Sequence, residues 1–88
     1  MRLEIQKFGT LLNSRPIGKE AFLVARAYNL PKNKTEPIEI DFTGVKVLTP
    51  SWADEFVTPI LKEYPGQVTL LCTENASVKA SLEIIGAL

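Results

Sequence analysis

Polar and apolar residues alternate over Arg2 to Gln6, with Leu3 and Ile5 on one side, the period-2 pattern of a half-buried strand near a sheet edge. The period then lengthens. Ser14 precedes Arg15 and Pro16, a capping hydroxyl followed by a residue whose fixed φ suits a first helical turn, so a helix is predicted to start there. Over Ile17 to Tyr28, the residues Ala21, Val24, Ala25 and Tyr28 recur at three- and four-residue spacing, and this face is expected to meet the core. Pro31, Asn33 and Pro37 bracket the polar run Lys32 to Glu36, an exposed connection. Alternation returns in Pro37 to Phe42, where Ile38, Ile40 and Phe42 share a side. Thr43-Gly44 then marks a bend, and Val45 to Leu48 stays extended as far as Thr49-Pro50.

The clearest amphipathic helix follows. Ser51 with Asp54 three residues on resembles a capping box, and Ala53, Phe56, Val57, Ile60, Leu61 and Tyr64 line one face, with Pro59 predicting a kink. Pro65-Gly66 ends it. Gln67 to Cys72 is a nearly continuous apolar run of strand length, as expected of a central strand buried on both faces. Asn75 caps a last helix with Val78, Leu82 and Ile85 in a stripe, ending near Gly86. The order β, α, β, α, β, α predicts crossover connections and a small α/β fold with a mostly parallel sheet and helices packed on it.

At 88 residues the chain should form a single domain over residues 1–88 with one core. Ten Lys and Arg balance ten Asp and Glu, so no electrostatic footprint for nucleic acid is expected, while self-association stays open. No stretch approaches the roughly 20 apolar residues of a membrane span. A single cysteine, Cys72, and the lack of a signal-like start point to a cytoplasmic protein. The composition has no histidine, which excludes a Cys/His nucleophile or a His-bearing metal site, and Cys72 reads as a small core residue. Gly9, Gly18, Gly44, Gly66 and Gly86 are too scattered for a phosphate loop. Neither catalysis nor a cofactor or metal is expected.

The stretch I-E-I-D-F-T-G-V-K-V-L-T-P-S-W-A-D-E-F, Ile38 to Phe56, resembles the centre of STAS domains, closest to the STAS-like families whose function is unassigned. The features that carry the likeness are a strand ending in Asp41, the step Thr43, Gly44, Val45, and the helix start Ser51 to Glu55. In bacterial anti-sigma-factor antagonists, which share the fold, the corresponding turn carries Asp-Ser-Ser-Gly and a partner kinase phosphorylates the first serine. Thr49, Pro50, Ser51 and Trp52 fall on those four positions. Pro50 cannot accept phosphate, so the switch is either absent or moved to the hydroxyls of Thr49 or Ser51.

Each residue of this turn also has a plainer role. Ser51 reads as an N-cap, Thr49 as an ordinary loop threonine before proline. Trp52 is either an exposed anchor for a partner or a cover over the sheet edge. Asp54 and Glu55 point about 100° apart on a helix and are not expected to converge, leaving them to the helix dipole and to solubility. The resemblance implies a non-catalytic regulatory or adaptor module whose partner-binding residues are Thr49, Ser51, Trp52, Asp54 and Glu55. Its partner would be a kinase-like ATPase or another signalling protein. The alternative expectation is a structural subunit that assembles with itself through the strand at Arg2 to Gln6.

Overall fold

The computed structural model describes residues 1–88. The elements are β1 (Arg2–Glu4), a 3-10 turn (Ile5–Phe8), β2 (Leu11–Leu12), α1 (Arg15–Tyr28), β3 (Ile38–Asp41), β4 (Val47–Leu48), α2 (Pro50–Glu63), β5 (Val68–Leu71) and α3 (Ala76–Ile84). All pairings are parallel. One sheet has the order β1-β3-β5, with Leu3 opposite Ile40 and Ile40 opposite Leu70, and β2 pairs with β4 in a separate short ladder. The expected α/β fold is what the chain adopts.

The first predicted strand is shorter than its alternation suggested. After Glu4 the backbone tightens into the 3-10 turn while Ile5 stays fully buried, so the apolar side of the pattern is satisfied without a strand. β3 and β4 are likewise one extended segment broken by a bend at Gly44, whose φ of +82° is open to glycine at no steric cost. A side chain there would also collide with the Gln6 amide. The two interruptions lie alongside each other, so β2 and β4 resume pairing beyond them, with Lys46 and Val47 donating to the Thr10 carbonyl.

The sheet order corrects the expectation for Gln67 to Cys72. The central strand is β3, with Ile38 and Ile40 at zero exposure, whereas β5 lies at an edge with its residues half-buried or exposed. An apolar run fixes neither neighbour count nor position, and β3 is central because the crossovers from β1 to β3 and from β3 to β5 step the same way across the sheet. Cys72, expected in the core, is exposed at the end of this edge strand with φ +58°.

The face α1 buries is also shifted. Gly18, Phe22 and Ala25 are buried, Ala21 is half-buried, and Val24 and Tyr28 are exposed. The cause is Gly18: α1 approaches α2 so closely that a Cβ at Gly18 would stand 2.6 Å from the Trp52 carbonyl oxygen. That contact rotates the neighbouring face toward α2. In α2 the predicted stripe Ala53, Phe56, Val57 and Ile60 is buried, with Leu61 partly so, and Tyr64 caps the far end and donates to the Pro31 carbonyl. Pro59 leaves the Glu55 carbonyl without its usual donor, yet the helix runs on to Glu63.

α3 is held beside β4 by side chains. Leu48 N–H donates to Ser77 Oγ at 2.9 Å, the Ser77 and Ser81 hydroxyls both donate to the Leu48 carbonyl, and Asn75 Nδ2 donates to the Lys46 carbonyl. Buried backbone groups need partners, and serines of a helix supply them where no strand stands. Asn75 also caps α3, as its sequence position predicts.

Candidate functional site

The corner singled out in the sequence lies where β4 runs into α2. Its cap differs from the prediction. Thr49, not Ser51, is the N-cap: its Oγ1 accepts from Trp52 N–H at 3.4 Å and donates to the Leu12 carbonyl at 3.3 Å, and its own N–H donates to that carbonyl at 3.0 Å. Pro50 takes the first helical position, where its missing N–H costs nothing, and this moves the start two residues ahead of the serine. Ser51 sits in the first turn, half-buried.

Trp52 is not a surface anchor. It has zero exposure, stacks on Phe56 with centroids 4.8 Å apart, and presents its backbone to Gly18. Phe8, half-buried, meets Phe56 edge-on at 5.2 Å, so the three rings form one packed block under the corner. Its indole Nε1 is the one buried side-chain nitrogen or oxygen with no partner. Trp52 therefore fixes the turn from beneath rather than offering it to a ligand.

Asp54 and Glu55 do converge, through a residue that the sequence marks only as the start of a helix. Arg15, from the start of α1, places Nη1 2.8 Å from Asp54 Oδ2 and 2.8 Å from Glu55 Oε2. Two carboxylates that diverge along one helix share a guanidinium supplied by the other. Asp54 also accepts from Thr58 Oγ1 at 3.0 Å. The guanidinium, with that hydroxyl, holds the Asp54 carboxyl below its ordinary value, and the two carboxylates raise Arg15. No local motif announces a contact spanning 39 and 40 residues. The only hint is a lone arginine just inside a capped helix.

Thus Thr49 and Trp52 are structural, while Ser51, Asp54 and Glu55 reach the surface together with Arg15. Asp54 and Glu55 border a solvent-open depression of about 290 Å³ completed by Thr58, Pro59 and Lys62. The surface is polar and of mixed sign, with hydrogen-bonding groups already oriented by the Arg15 bridge. Such an array suits recognition of a complementary polar surface.

Asp41, the last residue of β3, forms a second ordered polar point. Its carboxylate accepts from Thr43 Oγ1 at 2.6 Å and Thr43 N–H at 3.0 Å, closing the turn before Gly44. The Thr43 hydroxyl, its amide, the Cys72 thiol and Arg2 together hold Asp41 below its ordinary value. The residue that carried the strand-end resemblance is thus a turn-forming aspartate.

No helix is long and apolar enough to cross a membrane. No curated protein and no solved structure matches the chain. A family model does, over residues 25–86, from the last turn of α1 through α3. The sheet centre, the Asp41 turn and the whole Thr49 to Glu55 corner fall inside that stretch, and the chain belongs to the STAS-like domain family of unknown function (DUF4325).

Proposed function

We propose that this chain is a non-catalytic regulatory or adaptor module that binds a protein partner at the start of α2, through Ser51, Asp54 and Glu55 with Arg15. The observation that carries the reading is the Arg15 bridge, which orders two surface carboxylates at 2.8 Å each beside an open polar depression. Thr49 and Trp52 contribute by fixing the turn, not by contact. The fold family supports a kinase-like ATPase or another signalling protein as the partner, an argument by analogy.

Regulation by phosphate would act at Ser51 rather than Thr49, because the Thr49 hydroxyl is spent on the cap and on the Leu12 carbonyl. A phosphate on Ser51 would stand one turn from Asp54 and Glu55 and compete with them for Arg15, recasting the charge pattern a partner meets. Photo-crosslinking tests the reading. A crosslinking residue at Ser51 should capture a discrete protein from host lysate, one at the exposed Thr69 should not, and Glu55→Lys should abolish the capture. Equal capture from both positions, or capture indifferent to Glu55→Lys, overturns it.

A further inference from the structure

From β1 and the outer flank of α1, a surface the corner reading does not use, we infer that this chain forms a two-fold dimer with a second copy of itself by antiparallel pairing of β1 with its twin, centred on Leu3. The first observation is the hydrogen-bonding direction of β1. Glu39 N–H donates to the Met1 carbonyl, so in this parallel ladder Met1 and Leu3 bond β3, while Arg2 turns its N–H and C=O outward and Glu4 its N–H, the Glu4 carbonyl standing at the head of the 3-10 turn. An antiparallel neighbour centred on Leu3 sets Arg2 against Glu4 of the second copy, twice. The N–H and C=O of Arg2 and the N–H of Glu4 are free on this edge, so each Glu4 N–H can donate to the Arg2 carbonyl opposite it, and the second lone pair of the Glu4 carbonyl remains for Arg2 N–H.

Charge selects that register. Arg2 and Glu4 project from the sheet face opposite buried Leu3, about half exposed, so the Leu3-centred pairing opposes unlike charges in both cross-strand pairs. Centring on Arg2 or on Glu4 would oppose like charges. β5, the other edge, reads V-T-L-L and has no charge to set a register.

The helices fit the same axis. Arg15 and Arg26 of α1 face α2, pairing with Asp54, Glu55 and Glu63. About 180° round the helix stand Ile17, Val24 and Tyr28, exposed by 55, 44 and 82%. This unpartnered stripe faces away from α2, and since α2 links β4 to β5 the stripe looks toward the β1 side of the molecule. With strands about 4.8 Å apart, a helix seated over the groove between β1 and β3 would meet its twin antiparallel across the two-fold axis at about 10 Å, a normal helix-packing distance. An open cleft of about 180 Å³ at this edge, bordered by Leu3, Phe8 and Asn29, leaves room for the incoming strand. The result is a six-stranded sheet with the helices of both copies on one face.

Sedimentation equilibrium tests it, with circular dichroism reporting the fold of every variant. The wild type should reach twice 9.7 kDa by ~1 mM chain. Glu4→Arg and, separately, Tyr28→Glu should each weaken the dimer about tenfold or more. Mixing Glu4→Arg with Arg2→Glu should restore association as a heterodimer, since one chain is then acidic and the other basic along the edge. Arg2 also contacts Glu39 and Asp41, so if Arg2→Glu fails to fold, the Glu4→Arg and Tyr28→Glu arms decide. A wild type monomeric throughout, a dimer indifferent to both substitutions, or two folded charge variants that do not associate overturns the inference.

Discussion

Replacing Gly18 with alanine should destabilise the fold, against the usual direction of a glycine-to-alanine change in a helix. Mid-helix, alanine is favoured over glycine by about 1 kcal/mol. At Gly18 the new methyl would stand 2.6 Å from the Trp52 carbonyl oxygen, 2.9 Å from its Cα and 3.2 Å from its carbonyl carbon, all backbone atoms that cannot rotate aside. Restoring an ordinary 3.4 Å contact means parting α1 from α2 by about 0.8 Å. A gap of that size forfeits about a quarter to a half of each dispersion contact across the seam, and overpacking costs about 1–3 kcal/mol. Taking the upper part of that range and subtracting the propensity gain leaves a net loss of about 2 kcal/mol. In a domain of this length that corresponds to a fall in Tm of about 10 °C. Thermal and urea denaturation followed by circular dichroism would read it, with Ala27→Gly on the exposed side of the same helix as a control expected to lose about 1 kcal/mol. A Gly18→Ala protein as stable as the wild type, or more so, would refute the account of the α1–α2 seam.

The remaining predictions concern caps and carboxylates. Thr49→Ala should cost about 1 kcal/mol and Ser51→Ala under about 0.5, as measured by urea unfolding; the reverse order would return the cap to Ser51. Ser77→Ala leaves the Leu48 N–H without its partner and should cost about 1–3 kcal/mol, with early loss of hydrogen-exchange protection at Leu48. Asp41 and Asp54 titrate lower in the fold than in the unfolded chain. Their contribution is complete above the unfolded value of about 3.9 and is withdrawn as pH falls through the folded values. Thr43→Val removes the hydroxyl that most lowers Asp41, so it should raise the Asp41 carboxyl titration seen by NMR and flatten the acid limb of stability against pH. An unchanged titration would show that this hydroxyl is not the cause.

Local signals were legible where local physics decides. The α3 cap at Asn75, the buried stripe of α2 and the alternation of β3 follow from neighbours within four residues, and the structure has them. What was not legible depends on residues far apart in the chain. The V-T-L-L run is equally consistent with a central or an edge strand, and only the crossovers decide. The apolar arc of α1 is wider than its buried part, and Gly18 against Trp52 selects which part is buried. Trp52 could not be assigned to core or surface without knowing that a second helix crosses above it. Asp54 and Glu55 form a pair only because Arg15 approaches from another helix. At Thr49 the signal was present but outweighed: Ser-x-x-Asp is a stronger capping pattern than Thr-Pro, until the proline is recognised as the first helical residue.

The hydroxyl seal between α3 and β4 makes the architecture directional. A strand arriving on that side of β4 would first have to displace Ser77 and Ser81 from the Leu48 peptide groups and Asn75 from Lys46, which means undocking the whole C-terminal helix. Cleavage of the chain within residues 73–75 would therefore do more than shorten it. It would convert a closed flank into bare, adhesive backbone, and the shortened chain should be prone to aggregate where the intact one is not.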